Sequence, residues 1–249
     1  MLRFYHRPLS TILRQRPLPA PGRFRSPFSP LRTSESLRLP VVAFSTQVER
    51  IPRKCPSCHQ PLPTSIPACT NCWFIAGLPS DISYHELLGL PEDTNPFSID
   101  TAALKSNFRR AQQVCHPDSW ASKGEGKQDL AHSLSSLVNN AYQRLLKPLT
   151  RAEYILERNG HTMSEEDKLD DMIFISEVME AREEIENADN PVLIQAIREE
   201  NRGKISDMID EIESLIEAKD WAAVKEATIR LKYLEGIERA AHAHEDAHS

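Results

Sequence analysis

The chain has 249 residues, 40% of them hydrophobic and 27% charged, which leaves room for one or two domains around a packed core and argues against global disorder. Its formal net charge of −6 hides a strong asymmetry: residues 1–50 carry nine Arg against Glu35 and Glu49, whereas residues 161–249 carry 10 basic against 24 acidic side chains. No run approaches the roughly 18 apolar residues of a membrane span, so a soluble chain with no membrane partner is expected.

Residues 1–47 are Arg-rich, bear Ser and Pro, and are nearly free of acid. That is the composition of a mitochondrial transit peptide, and the continuous apolar stretch of a secretory signal is missing. A disordered basic tail for nucleic acid is the blander reading. Matrix targeting is the expectation, and the fold is expected to begin after this segment.

Residues 48–79 contain two Cys-x-x-Cys pairs, Cys55 with Cys58 and Cys69 with Cys72, separated by ten residues that include three prolines. Four thiolates satisfy tetrahedral Zn²⁺ at about 2.3 Å, and each two-residue gap lets one tight turn supply two ligands. An all-cysteine set is closed, hence structural rather than catalytic. Disulfides are disfavoured in a reducing matrix, and no βαβ pattern supports a redox motif. His59 reads as a bystander. With almost no core of its own, the module is expected to unfold without metal.

Residues 80–160 read as helices. Ser83 and Glu86 form a capping box for a short helix ended by Gly89 and Pro91, and Asp100 caps a longer one whose Leu104, Phe108, Ala111 and Cys115 share one face. Lys105, Arg109 and Arg110 make its basic side. After a polar loop over 116–127, Leu130, Leu134, Leu137, Ala141 and Leu145 mark a second helix that Pro148 stops, so the two should form an antiparallel hairpin. Thr150 with Glu153 offers a further capping box, opening a short helix that ends at Gly160. His116, Pro117 and Asp118 sit at the hairpin tip. A catalytic His–Asp pair needs a nucleophile or metal and a dry pocket, and neither is legible. A plain turn explains the proline but not its neighbours. A docking element explains more: Pro117 restricts the flanking side chains, which lowers the entropy lost on binding, and the basic face can steer an acidic partner.

Residues 161–242 suggest three antiparallel helices, with breaks near Asn190-Pro191 and Asp220. Leu193, Ile197, Ile205, Met208, Ile212 and Leu215 give the middle helix its stripe. Phe174, Val178, Ala181 and Ile185 form the core face of the first helix, and Val224, Ala227, Leu231 and Leu234 that of the last. Met172, Ile175 and Met179 fall off the first stripe, and Ile229, Tyr233 and Ile237 off the last. Together these suggest an exposed apolar patch rimmed by Glu180 and Glu183, against the blander reading of a broad core contact. The tail, 243–249, is expected to fray.

Residues 83–147 resemble the J domain of DnaJ-type co-chaperones, whose signature is His-Pro-Asp between two antiparallel helices. "SYHELLGLP", "VNNAY" and "PLTRAEY", with the acidic helices beyond, are similar to the HscB-type branch, co-chaperones of iron–sulfur cluster assembly. The four cysteines match a zinc module present in some members. The resemblance implies that His116, Pro117 and Asp118 engage a mitochondrial DnaK-type (heat-shock protein 70 class) chaperone and trigger its ATP hydrolysis, with Lys105, Arg109 and Arg110 on the contacting helix. It also implies that Ile175, Met179 and Tyr233, with Glu180 and Glu183, hold the iron–sulfur scaffold protein. Two departures stand out: Ser119-Trp120 replaces the usual basic-aromatic pair, and Ile and Met stand where the family has leucines.

The expected fold is therefore all-α: a J domain followed by a three-helix bundle and preceded by a small zinc-bound module. The expected function is that of an adaptor with structural zinc and no catalytic residues of its own. A general mitochondrial J-protein with a different client is the alternative. A zinc-dependent nucleic-acid binder is disfavoured by the acidic bundle. The sequence leaves open whether the zinc module mediates a homodimer or stiffens the N-terminus.

Overall fold

The structure, a computed structural model, describes residues 53–92, 95–164 and 166–248. The segment read as a transit peptide lies outside the described residues. Within them the chain is all-helical apart from two isolated β-bridges, Lys54 with Pro61 and Ala68 with Ile75. The helices are α1 (Tyr84–Leu87), α2 (Thr101–Cys115), α3 (Pro117–Trp120), α4 (Glu125–Leu146), α5 (Pro148–Arg158), α6 (Met172–Glu186), α7 (Pro191–Ala218) and α8 (Trp221–Ala247). None is long and apolar enough to cross a membrane.

The helix starts follow local chemistry. Ser83, Asp100, Asp171, Asn190 and Asp220 each accept backbone N–H groups of the first turn, satisfying donors that have no intrahelical partner. Pro148 and Pro191 occupy first helical positions, where a missing N–H costs nothing. Thr150 does not cap α5 as expected. Pro148 already opens that helix, and the Thr150 hydroxyl turns back to the Gln143, Arg144 and Lys147 carbonyls. Gly89 ends α1 at φ +62°, in the left-handed region that glycine enters without strain.

Helices α2 and α4 form the expected hairpin, joined across their polar edge by Gln112 hydrogen bonds to Ser135 and Asn139. Leu104, Ala111 and Cys115 point inward as read from the sequence. In α4 the buried stripe is Ala131, Leu134, Val138, Ala141 and Leu145, and Leu130 is exposed, because it falls one residue off that stripe, at its edge. Arg151 is buried but satisfied: its guanidinium donates to the carbonyls of Phe97, Leu145 and Leu146, and burial pushes its pKa down to about 10.

One apolar core runs through residues 66–156 and on into the near end of the bundle, where Ile212, Ile216, Val224, Ala227 and Leu231 join it. The Asn95 side-chain amide donates to the Glu213 carbonyl at 2.8 Å across the same junction. The far end of the bundle has a separate, smaller cluster of Val178, Ile185, Ala188, Ile194, Leu234, Ile237 and Ala241. Three sequence expectations change here. Ile229 and Ile237 are buried rather than part of an exposed second stripe, because α8 is the central helix of the bundle and contacts α5, α6 and α7. Ile194, not Leu193, faces inward at the start of α7. The C-terminal stretch read as frayed continues α8 to Ala247, and Arg198 ties it to α7 by ion pairs to Glu238 at 2.6 Å and Glu245 at 3.0 Å.

Candidate functional site: a cysteine cluster, an exposed tip and an apolar face

The four cysteines are brought together by two like turns. Cys55 N–H donates to the Gln60 carbonyl and Cys69 N–H to the Phe74 carbonyl, both at 2.8 Å. The amides of His59 and Trp73 return to the carbonyls of Cys55 and Cys69. His59 and Trp73 both hold positive φ, 58° and 60°, a conformation that side chains rarely adopt. Because neither position is glycine, no residue in the sequence announced these left-handed turns.

All four Sγ atoms lie within 4.8 Å of one another, with Cys55 to Cys72 at 3.5 Å and Cys58 to Cys69 at 3.6 Å. These separations are far longer than the roughly 2.05 Å of a disulfide. They suit thiolates arranged tetrahedrally at about 2.3 Å from one ion. The backbone amide of Gln60, helped by the Asn71 side chain, pulls the Cys58 thiol down to about 6, whereas burial pushes Cys55 up to about 11. The set can hold a metal ion. It is not a self-contained module, however: Ile66, Ala68 and Ile75 belong to the core that α2, α4 and α5 share.

The His-Pro-Asp tip is a helical turn rather than a polar loop. His116 ends α2 in an extended conformation and caps α3, its Nδ1 accepting the Asp118 N–H at 3.4 Å. Pro117 takes the first position of α3, and a 3₁₀ turn, Ala121–Lys123, leads into α4. The His116 and Asp118 side chains remain 54% and 90% exposed, with Nδ1 and Oδ2 3.7 Å apart. What holds them out is Trp120, which the sequence showed only as a departure from the family pattern. It is fully buried, its indole N–H donates to the Val114 carbonyl at 3.0 Å, and Trp73 of the cysteine module packs edge-on against it at 5.4 Å between ring centroids. Lys123 covers the Trp73 ring at 3.9 Å. A lone tryptophan in a polar stretch was the available signal for this anchor. Lys105, Arg109 and Arg110 are exposed along α2, and Arg110 also donates to Asn107.

On the bundle, Met172, Ile173 and Met179 are 74%, 76% and 66% exposed. Ile175 and Tyr233 are half-buried beside them, and Tyr233 meets Phe174 edge-on at 6.3 Å. Ile173 was not singled out in the sequence; its exposure follows from its place in the first turn of α6, where no neighbouring helix covers it. Glu183 is exposed one turn beyond Met179. Glu180 falls elsewhere. It lines a groove of about 420 Å³ between α6 and α7, together with Glu177, Glu184, Glu200 and Lys204.

Residues 170–242 match the family model described as the HSCB C-terminal oligomerisation domain. The fission yeast protein named J-type co-chaperone jac1, mitochondrial, is 34% identical over 61% of this chain and 67% of its own length. An Aliivibrio fischeri co-chaperone protein HscB homolog is 30% identical over 63% of this chain and 92% of its own. The human iron–sulfur cluster co-chaperone protein HscB is 29% identical, and this chain spans 66% of its length. The crystal structure of human HscB superposes with a TM-score of 0.66 at 27% identity, covering 76% of this chain and 97% of that one. HscB from Vibrio cholerae gives 0.61 at 30% identity, covering 68% and 100%. On sequence and on fold alike, this chain belongs to the HscB family of co-chaperones.

Proposed function

We propose that this chain is a J-protein adaptor that holds an iron–sulfur cluster scaffold protein on its bundle and stimulates ATP hydrolysis by a mitochondrial DnaK-type chaperone. The observation that carries this reading is the tip: His116 and Asp118 are displayed to solvent on a first helical turn that the buried Trp120 fixes from below. A partner meeting this element finds the side chains already oriented, so little entropy is lost on docking. No bond is made or broken on this chain. Binding energy is used to favour the chaperone conformation nearer its hydrolysis transition state, and each 1.4 kcal/mol so directed gives about tenfold in rate.

Zinc is the metal assigned to the cysteine knot, on the all-thiolate donor set and its tetrahedral separations. Its role is structural, because no position is left open for a substrate. Mitochondrial residence is supported by the basic composition of residues 1–47 and by the mitochondrial designation of the fission yeast relative. The scaffold reading rests on the exposed Met179 with Ile175 and Tyr233 beside it, an apolar face on an otherwise acidic bundle.

The test is single-turnover ATP hydrolysis by the matrix DnaK-type chaperone, alone, with this protein, and with His116→Gln. Stimulation of at least about tenfold that disappears in the variant is expected. Equal rates in all three would remove the proposal.

A further inference from the structure

One helical turn beyond Met179 on α6 and Tyr233 on α8, the apolar face ends at an arrangement that apolar docking does not explain. Gly236 lies in the interior of α8 and is buried. An interior helical glycine costs about 1 kcal/mol relative to alanine, so its position calls for a reason. A Cβ at 236 would collide with Arg182 Nη2, reaching over from α6, and would lie 3.6 Å from Arg239 Nη2. Helical side chains lean toward the N-terminus of their helix, so both arginines reach back over Gly236 toward the level of Tyr233. The missing Cβ is the space that lets two guanidinium groups converge there.

Carboxylates are abundant in this part of the chain, yet they serve this pair sparsely. The other three arginines of the bundle are matched closely: Arg198 with Glu238 at 2.6 Å, Arg202 with Glu199 at 3.2 Å, and Arg230 with Glu226 at 2.9 Å and Asp171 at 3.1 Å. Among the described residues no carboxylate forms an ion pair with Arg182, and Arg239 has only Glu235 at 3.7 Å. Two adjacent like charges with only Glu235 at 3.7 Å beside them still repel each other, and a further acidic group placed between them would offset that repulsion.

We propose that the Gly236 notch seats Arg182 and Arg239 as an anion-binding subsite at the edge of the scaffold-docking face, and that its occupant is a carboxylate side chain of the iron–sulfur scaffold protein. The inference rests on the reading of the α6–α8 face as scaffold-binding. Continuity with that face selects the occupant: a protein seated on Met179 and Tyr233 passes directly over Gly236. Guanidinium groups bind carboxylates through charge-assisted, often bidentate hydrogen bonds, which fix orientation where apolar contacts do not. Ile175 and Met179 would supply non-directional attraction, and the arginine pair would set the register of the bound partner.

The experiment is calorimetric titration of the full chain with an iron–sulfur scaffold protein at low and high salt. It compares the parent with Met179→Ala, Arg182→Gln, Arg239→Gln and Gly236→Ala. Each arginine variant should raise Kd about tenfold and flatten its salt dependence. Gly236→Ala favours the helix but displaces Arg182, so it should weaken binding with a thermal midpoint unchanged or higher. Stimulation of the chaperone in the absence of scaffold and the thermal midpoint should both match the parent in the two arginine variants, which a merely structural defect in the bundle would not allow. Arginine variants that bind within about twofold of the parent with the same salt dependence, while Met179→Ala still binds weakly, would overturn the subsite and keep the docking face. A Met179→Ala variant that also binds normally would overturn the face and the subsite together. Unchanged scaffold affinity with a shift in sedimentation of the arginine variants would reassign the notch to a second copy of this chain and so overturn the proposal as stated.

Discussion

The two ends of the molecule differ in what they leave at the surface. At the J-domain end the residues displayed at the tip are polar and few, and what lies beneath them is dense: Trp120 is fully buried, Trp73 packs on it, and the cysteine turns share the core of the hairpin. At the far end of the bundle the core is small, and apolar side chains such as Met172, Ile173 and Met179 stay in solvent. Helix α6 rests chiefly on α8 and leaves an open groove toward α7. One end presents a fixed shape. The other leaves apolar side chains uncovered, and on the proposed reading the scaffold protein would complete their burial. Substitutions at the first end should therefore cost stability, and substitutions at the second should cost binding.

The largest expected break comes from the metal knot. Structural zinc in small domains contributes on the order of 10 kcal/mol of apparent binding free energy at neutral pH. Cys58→Ser with Cys69→Ser should abolish bound zinc by elemental analysis. Because Ile66 and Ile75 belong to the J-domain core, the thermal midpoint of that core should fall as well. Loss of zinc with an unchanged midpoint would mean that the knot is only an appendage.

Trp120→Ala comes next, at about 3–5 kcal/mol of unfolding free energy for deleting a fully buried aromatic. It should also weaken chaperone stimulation with His116 and Asp118 intact, because their support is gone. Denaturant titration beside the hydrolysis assay checks both parts.

A smaller, pH-dependent effect is expected from His85, which is fully enclosed, with Nε2 2.7 Å from the Pro96 carbonyl and Nδ1 without a partner among the described residues. Burial holds its pKa below the ordinary 6.5. The unfolded chain therefore takes up the proton first. Stability should be level above about pH 6.5 and decline as pH falls below it toward the lowered folded value. His85→Phe should flatten stability over that window; an unchanged slope would assign the pH dependence to other groups.

The smallest stability effect belongs to the far end. Met179→Ala removes an exposed side chain and should change unfolding free energy by no more than about 0.5 kcal/mol. A loss of several kcal/mol would place Met179 in the fold rather than on a docking face and erase the contrast between the two ends.

The sequence by itself determined everything that depends on short spacing. Two Cys-x-x-Cys pairs, Asp100, Asn190 and Asp220 at helix starts, and Leu104, Ala111 and Cys115 on one face could all be read because a turn or a helix is set by neighbours within four residues. The exposed His-Pro-Asp tip and the outward Met172 and Met179 were legible for the same reason. What the tertiary structure decided were the matters settled between elements distant in the chain. Trp120 needed Trp73 to become an anchor, and the cysteine module needed the hairpin to complete its core. Ile229 and Ile237 went inside because α8 has neighbours on several sides, while Glu180 turned toward α7 and away from Met179's face. Gly236 had no local reason to be a glycine, and only the Arg182 guanidinium reaching over from α6 supplies one. Helical periodicity fixes which residues share a face, but which face meets which neighbour is a property of packing, and packing is long-range.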